Sequence, residues 1–367
     1  MRRRDFLIAL PAVAGAPTRV LAAREAAGHG VTLAAAWQAG TGYRVGILTQ
    51  DAAGGLRSAA ALAVPTRAHG LLRESGGTLL AVARRPGDWL LRWSRDGRAL
   101  AWRWIEPRRA FSGHVLASGD GRTLYTTEAD LDTGAGLVGV RDAATLEKLA
   151  EWPTHGIDAH ELIRDASHDG RLIVANGGVP TRPETGRAKR DLAHMDSSLV
   201  CLETASGAPT GQWRLSDRRL SLRHLAWGKG AAGPILGVAL QAEHDDRDAR
   251  AKAPVLALFD GRTLRTVVAS TPLAGYGGDI AALGPHFAVS CPRAQGVALH
   301  GADGALREMI PLDEACALVT TTGEIWAGGR HAAVTWRAGG HLAEPMQGSL
   351  ASHAVPDLRL DNHWIAI

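Results

Sequence analysis

Cysteine is scarce in this sequence: only Cys201, Cys291 and Cys316 occur among 367 residues. Their separations do not match the short spacings of metal-ligating cysteines, and no Cys-x-x-Cys-His motif is present, so covalent haem attachment is excluded. Two states of the thiols stay open. Cys291 and Cys316 fall on neighbouring predicted strands and form a disulfide in an oxidising compartment, or all three cysteines are buried thiols that pack as small hydrophobic side chains.

The signatures of several large functional classes are also absent. No run of 18 apolar residues follows residue 23, which disfavours a transmembrane helix. Basic residues form no stripe, so a nucleic-acid interface is not indicated. No serine lies in a nucleophile-elbow sequence, and the pairs Gly177-Gly178 and Gly277-Gly278 open no helix. Serine-hydrolase chemistry and a phosphate-binding loop are therefore not indicated either.

The first 23 residues have the pattern of an export signal. Arg2-Arg3-Arg4-Asp5-Phe6-Leu7 resembles the twin-arginine motif, an apolar run follows, and Val20-Leu21-Ala22-Ala23 offers a small-residue cleavage site. The alternative is an uncleaved membrane anchor, for which the apolar run is short. We predict a signal peptide over 1–23 and a periplasmic location. Since this segment holds four arginines and one aspartate of a chain with net charge +4, the remainder is nearly neutral.

Short strands joined by tight turns dominate the remaining sequence. The 44 glycines and 17 prolines suit many turns better than long helices. Asp-Gly pairs, which favour β-hairpins, separate apolar strand-like runs at Asp96, Asp120, Asp169, Asp260 and Asp303. A period of roughly 45 residues with about four short strands is typical of a propeller blade.

We therefore predict an all-β, seven-bladed β-propeller that residues 24–367 form as a single domain. Six blades are expected near residues 66–106, 111–154, 157–216, 221–272, 276–312 and 314–346. The remaining blade takes three strands from 29–63 and its innermost strand from the C-terminal Asn362 to Ile367. That C-terminal strand closes the ring and removes the exposed edges of an open array.

Polar residues recur where the innermost strands are predicted to begin. His69, His114, His160, His224 and Asp279 open five blades, and His363 takes the same place if the C-terminal strand closes the ring. The second strands end, at the same face of the disc, at Arg84, Glu128, Asn176, Gln241 and Arg293. Because both sets of positions converge on one mouth of the central channel, we expect a functional site there.

Imidazole and carboxylate groups suit a borderline transition metal. The candidate metal ligands are His114, His160, His224, Glu128 and Glu161. Other candidate ligand-binding residues are His69, Asn176, Gln241, Arg182, Asp279 and Arg293. The alternative is structural, because a histidine at an inner-strand start can bond the backbone of a neighbouring blade and lock the ring.

Several stretches carry a family resemblance: Gly113-His114, Asp120-Gly121-Arg122 through Thr127-Glu128, His160-Glu161-Leu162, Val174 to Gly178, Gly186-Arg187, Met195 with Ser198 to Val200, and Ser221 to Leu225. Together they resemble the twin-arginine-exported proteins grouped as domain of unknown function 1513. The resemblance implies a quinoprotein-like, seven-bladed propeller with a periplasmic role in metal acquisition, in particular of iron. Where the family has Thr-His-Pro, this chain has Thr181-Arg182-Pro183, and the guanidinium favours an anionic ligand at that loop.

The expected function is the binding of a metal ion, a metal complex or a metal-handling partner at a histidine-lined mouth in iron acquisition. Iron or copper is the expected cofactor. A redox or lyase enzyme is the second hypothesis, with His114 or His160 as general base and Glu128 or Glu161 orienting it. A non-catalytic docking scaffold is the third. Imelysin-type or cytochrome-type periplasmic proteins are the expected partners, with no nucleic acid and no membrane insertion after signal cleavage.

Overall fold

A computed structural model describes residues 30–51, 55–181, 191–337, 348–349 and 358–367. Strands dominate these residues and form seven four-stranded antiparallel sheets, which are the seven blades of a β-propeller. The predicted fold class is confirmed. Within the described ranges, no helix is long and apolar enough to cross a membrane.

Blades 1 to 4 follow the chain in order, except that the last strand belongs to the first blade. Blade 1 consists of β1 (Thr32–Ala39), β2 (Gly42–Gln50), β3 (Leu56–Val64) and the C-terminal β28 (Leu358–Ala366). Blade 2 consists of β4 (Ala68–Arg73), β5 (Leu79–Ala83), β6 (Trp89–Trp93) and β7 (Ala99–Trp104). Blade 3 consists of β8 (Arg109–Ala117), β9 (Thr123–Asp130), β10 (Ala135–Asp142) and β11 (Lys148–Ile157). Blade 4 consists of β12 (Ala159–Arg164), β13 (Arg171–Asn176), β14 (Ser198–Glu203) and β15 (Pro209–Trp213).

Blades 5 to 7 repeat the same up-and-down order. Blade 5 consists of β16 (Leu220–Gly230), β17 (Gly233–Ala242), β18 (Leu256–Phe259) and β19 (Leu264–Val267). Blade 6 consists of β20 (Ile280–Leu283), β21 (His286–Cys291), β22 (Gly296–Gly301) and β23 (Leu306–Pro311). Blade 7 consists of β24 (Ala317–Thr321), β25 (Glu324–Gly328), β26 (Ala332–Arg337) and β27 (Gly348–Ser349). The described helical elements are short: α1 (Arg247–Lys252) and the 3₁₀ turns Leu192–His194 and Pro292–Ala294.

The ring closes through β28, as the sequence predicts. β28 pairs antiparallel with β1, with Leu33 opposite Ala366 and Ala39 opposite Leu358. The closing strand begins at Leu358, four residues before the predicted start at Asn362. Blade 1 is therefore built from both ends of the propeller sequence. The chain joins blade 1 to blade 2 after β3 and to blade 7 before β28.

Apolar side chains fill the space between neighbouring blades. Between blades 1 and 7, Trp37, Trp326 and Trp364 are each less than 5% exposed and belong to one cluster. Gly46 shows how closely this cluster packs, since a Cβ there would lie 2.4 Å from the Trp37 ring and 2.2 Å from the Ala60 carbonyl oxygen. Glycine at this position therefore leaves room for the indole ring.

The cysteines settle one sequence-based expectation. Cys201, Cys291 and Cys316 are all free thiols, so the disulfide between Cys291 and Cys316 is not formed, and the alternative of buried thiols is confirmed for two of the three. Cys201 and Cys291 are buried, and Cys316 is half-buried. The candidate Arg182 belongs to residues 182–190 between β13 and β14, which lie outside the described part of the chain.

Candidate functional site

Five consecutive blades each place one histidine on their innermost strand. It is the second residue of β4 and β12, as predicted, but β8, β16 and β28 begin four or five residues before their histidine. These residues, here called the histidine cluster, are His363 on β28, His69 on β4, His114 on β8, His160 on β12 and His224 on β16. Neighbouring innermost strands pack side by side around the channel. Equivalent positions therefore face one axis, and five imidazoles from distant parts of the sequence meet at one end of the channel.

A β-bulge accompanies every one of these histidines. On β4 the paired residues jump from Ala68 to Leu71, on β12 from Ala159 to Leu162, and on β16 from Leu222 to Leu225. β8 and β28 carry similar breaks around His114 and His363. A bulge bends the strand and redirects a side chain that would otherwise face a neighbouring blade. β20, which starts after Asp279, pairs with its neighbour without a break.

The imidazoles are in mutual contact. The Nε2 atom of His224 lies 3.0 Å from Nε2 of His160 and 3.1 Å from Nε2 of His363. The ring centroid of His69 lies 4.8 Å from that of His114 and 4.7 Å from that of His363. One ring nitrogen from each of His69, His114, His160 and His224 lies within 4.8 Å of the others. This separation allows one bound atom to contact several nitrogens.

Burial keeps four of these histidines neutral. His69, His114, His160 and His224 are between 3% and 6% exposed. Desolvation, assisted by the mutual repulsion of neighbouring imidazolium charges, lowers the pKa of each well below its ordinary value. Each ring therefore offers a nitrogen lone pair at neutral pH, which is the form that binds a metal.

Asp279 holds the fifth imidazole in place. Its Oδ1 lies 3.2 Å from Nδ1 of His363, and its Oδ2 accepts a hydrogen bond of 2.9 Å from the backbone N–H of Leu318. Burial alone would lower the pKa of His363, but the Asp279 carboxylate outweighs it and the pKa is raised. A carboxylate on Nδ1 directs the Nε2 lone pair toward the cluster, as in the outer shell of many metal sites.

Glu161 is the carboxyl group beside His114. Its Oε1 lies 3.7 Å from Nδ1 of His114, and its Oε2 accepts a hydrogen bond of 2.7 Å from the backbone N–H of Leu225. Burial raises the pKa of Glu161 to about 8. The carboxyl group is therefore largely protonated at neutral pH, and it contacts the cluster at its edge.

The nitrogen geometry fits a shared cation better than a set of hydrogen bonds. The single Nε2 position of His224 faces two other Nε2 atoms, so one lone pair or one proton must serve both contacts. Within the described residues, the buried His114 Nε2, His69 Nδ1 and His224 Nδ1 have no hydrogen-bond partner. Metal–nitrogen bonds of about 2.0 to 2.1 Å place neighbouring ligand nitrogens about 2.9 to 3.4 Å apart, which matches the two short contacts.

The structure does not bring Glu128 to the histidines. Its side chain is fully buried inside blade 3, where Oε1 lies 2.7 Å from Nη2 of Arg141 and Oε2 lies 2.6 Å from Nζ of Lys148. The expectation of a ligand at this position is corrected. Side chains project from the faces of a sheet, and Glu128 meets Arg141 and Lys148 on one face of blade 3 and not at the channel axis. Glu128 neutralises two buried cations.

The other sequence candidates contact residues outside the histidine cluster. Asn176 is buried in blade 4, where its amide donates to the Thr154 carbonyl oxygen at 2.9 Å. Gln241 lines the mouth and donates to Glu243 at 2.8 Å. Arg293 stacks over the Tyr276 ring at 4.7 Å. Of the predicted site residues, His69, His114, His160, Glu161, His224 and Asp279 are brought together.

Arg223 is a site residue that sequence reasoning missed. Its Nη1 lies 3.4 Å from Nδ1 of His160 and 3.2 Å from Oδ2 of Asp158. The side chain is only 3% exposed. No sequence signal marked it, because the register break between Leu222 and Leu225 that brings Arg223 to the mouth has no residue signature.

The family of this chain is one without an assigned function. The sequence profile described as "Protein of unknown function (DUF1513)" matches residues 62–367. The match covers most of the chain, so the protein belongs to this family. A comparison with curated protein sequences finds no significant match.

Solved structures of low sequence identity share the fold. Kuenenia stuttgartiensis hydrazine synthase is 13% identical and has a TM-score of 0.58, with 82% of this chain and 93% of that chain covered. A catalytically inactive virginiamycin B lyase from Staphylococcus aureus, solved with quinupristin, is 11% identical and has a TM-score of 0.55, with 81% and 92% covered. At these identities the similarity shows the propeller architecture alone.

Proposed function

We propose that this member of the DUF1513 family binds one transition-metal ion at the histidine cluster. The observation that carries the proposal is the position of His224 Nε2, which lies 3.0 Å and 3.1 Å from the Nε2 atoms of His160 and His363. His69 and His114 would complete the donor set, since a nitrogen of each lies within 4.8 Å of the corresponding atoms of His160 and His224. Asp279 would fix the tautomer of His363.

The donor atoms select the class of metal. Neutral imidazole suits copper, iron, zinc and nickel, whereas calcium and magnesium prefer oxygen ligands. The four histidines with lowered pKa values need not lose a proton before they bind at neutral pH. We infer copper or iron as the physiological metal, held as a bound cofactor or as a transported ion.

The setting of this activity is proposed from the sequence. The Arg3-Arg4 motif and the apolar run after it support twin-arginine export to the periplasm, a route for proteins that are already folded. There the protein would take part in iron acquisition beside imelysin-type or cytochrome-type partners. Replacing Arg3 and Arg4 by lysine should leave the protein in the cytoplasm, and continued export would contradict the assignment.

A redox or lyase reaction at the same cluster is the second candidate, and Glu161 favours it. With a pKa of about 8, this carboxyl group can donate a proton at neutral pH, and it lies 3.7 Å from His114. For a redox role, the metal-loaded protein should change its absorption spectrum reversibly with ascorbate and ferricyanide. A loaded protein whose metal cannot be reduced or reoxidised would exclude that role.

Elemental analysis of the purified protein tests metal binding directly. We expect about one copper or iron per chain in the parent, and little metal in the variants His160→Ala and His224→Ala. His168→Ala is the matched control, because its side chain is 60% exposed in a turn between β12 and β13. Far-ultraviolet circular dichroism checks that all variants fold.

Two results would contradict the proposal. One is a parent protein that contains no metal and takes up none from added copper or iron salts, which would leave the docking-scaffold function. The other is equal metal content in the parent and in both cluster variants, which would place the metal elsewhere.

A further inference from the structure

Two adjoining cavities open at the mouth above the histidine cluster. The inner cavity, of ≈ 20 Å³, is lined by His69, His160 and His224 and has room for about one water-sized atom. The outer cavity, of ≈ 400 Å³, is lined by Arg84, Tyr276 and Asn362, which also line the inner one. The outer volume lies in the range of small-molecule sites, about 300 to 1,000 Å³. A small ligand in the outer cavity would therefore reach the histidines through the inner one.

The walls of these two cavities carry excess positive charge. Their arginines are Arg67, Arg84, Arg85, Arg223, Arg330 and Arg359. The carboxylates in the same walls are Asp361, which pairs with Arg67 and lies 3.9 Å from Nη1 of Arg84, and Glu314, which pairs with Arg330. Asp158, behind the wall, pairs with both Arg85 and Arg223. Glu243, which accepts a hydrogen bond from Gln241, also acts on the charge of Arg223. Six guanidinium groups thus face four carboxylates, and the positive potential that remains attracts anions.

Arg223 is the buried cation of this wall. Its side chain is 3% exposed, and its Nε and Nη2 atoms have no hydrogen-bond partner within the described residues. An unpaired polar group in a buried position is costly, and more so for a charged group. Asp158 satisfies Nη1 only, at 3.2 Å. An anionic ligand that enters the inner cavity would supply the missing acceptors.

We propose that the mouth binds an oxyanion in the form of a small organic polycarboxylate, which delivers the metal as an anionic chelate. The carboxylates would be held by Arg84, Arg223 and Arg359, and the metal would face the histidine cluster. Guanidinium groups suit this ligand because they bind carboxylates through two parallel hydrogen bonds. The delivery step depends on the metal site proposed above, whereas the anion site does not.

Isothermal titration of the metal-free protein with citrate tests the anion site at physiological ionic strength. The variants are Arg223→Met and Arg359→Gln, and the control is Arg98→Gln, whose 74% exposed side chain lies in the turn between β6 and β7 at the opposite face of the disc. We expect saturable binding to the parent and the control, with affinity at least about tenfold lower in Arg223→Met, as loss of charged hydrogen bonds implies. Arg359→Gln, a surface change that leaves the fold intact, should also weaken binding.

A second titration with inorganic phosphate identifies the source of the oxyanion. Phosphate affinity at least about tenfold below that of citrate supports a polycarboxylate, because phosphate cannot span several arginines. Phosphate binding as tight as citrate binding would overturn the polycarboxylate assignment. Absence of citrate binding, or equal loss in Arg98→Gln, would overturn the anion site.

Equilibrium dialysis against iron(III) citrate then tests delivery. The parent should retain iron and citrate in equal amounts, and Arg223→Met should retain less of both. Metal uptake from simple salts with no citrate binding would leave the metal site and remove the chelate proposal. Citrate binding with no metal uptake from any source would remove the metal site and leave the anion site.

Discussion

Replacing Glu128 by glutamine separates a residue that stabilises the fold from the residues that bind the ligand. The Glu128 side chain is fully buried, and its two oxygens lie 2.7 Å from Arg141 Nη2 and 2.6 Å from Lys148 Nζ. Its Oε1 also accepts a hydrogen bond of 2.7 Å from Thr126. The glutamine side chain has the same shape, so the substitution removes the charge and leaves the packing unchanged.

The size of the effect follows from what remains around the two cations. Removing one partner of a buried ion pair costs about 3 to 5 kcal/mol. Glu106 still contacts Arg141 at 2.8 Å and Lys148 at 3.0 Å, so we expect the lower end, about 3 kcal/mol. Asp96→Asn is the control. Its ion pair with Arg98 is exposed at both ends, with side chains 59% and 74% exposed, so its loss should leave the free energy of unfolding nearly unchanged.

Urea unfolding followed by tryptophan fluorescence measures the free energies of unfolding of Glu128→Gln and of its control. Elemental analysis of the same samples measures bound metal. Glu128→Gln should unfold at much lower urea concentration than the parent and should bind as much metal per folded chain. A variant as stable as the parent that has lost its metal would refute this reasoning, because Glu128 would then be a ligand.

Three further predictions concern groups elsewhere in the fold. Burial raises the Glu161 pKa from 4.5 to about 8, so the contribution of this group to stability is present below pH 4.5 and is lost as pH rises toward 8. Urea titrations at pH 5 and pH 8.5 measure this loss, and Glu161→Gln should remove it. Trp364 is 3% exposed and lies between blades 1 and 7. Its replacement by alanine should lower the free energy of unfolding by about 3 to 5 kcal/mol in the same assay. Cys291 is fully buried and burial raises its pKa to about 12, so it should not react with a thiol reagent at pH 8 until urea is added; rapid labelling of Cys291 in the folded protein would contradict its burial.

The propeller was predictable because its signals are local. Each Asp-Gly pair marks a hairpin turn, and the turn at Asp96 indeed joins β6 to β7 while that at Asp120 joins β8 to β9. The closure by the C-terminal strand followed from counting strands, since residues 29–63 supply three and a blade needs four. Its start at Leu358, just after Pro356-Asp357, was missed because the polar residues Asp361 and Asn362, at the bulge, interrupt the apolar pattern.

The site was only partly predictable, because side-chain direction depends on the bulges. His69, His114, His160 and His224 could be found from their place before apolar strand patterns. Glu128 sits at an equally regular place, yet it points into blade 3. Strand alternation gives the face of a side chain only where the register is continuous, and the bulges that redirect the histidines leave no residue signature in the sequence.

The contact between Asp279 and His363 was beyond sequence reasoning for a different reason. The two residues are far apart in the chain and meet only after blades 1 and 6 have taken their places around the channel. No local pattern encodes such a contact. The role of the buried Arg223 likewise depends on its ion pair with Asp158, which directly precedes the first strand of the neighbouring blade.

The position of His363 on the closing strand links ligand binding to the integrity of the whole ring. A chain emerging from the ribosome presents His69, His114, His160 and His224 long before the strand that carries His363 exists. A ligand that needs all five imidazoles therefore binds only the closed ring. It would stabilise that ring by about RT ln(1 + [L]/Kd), which amounts to about 2.7 kcal/mol at a hundredfold excess over Kd. By binding His363 together with the histidines of the other four blades, the ligand would keep β28 paired in blade 1. When the ligand is lost, β28 would be the first strand to detach.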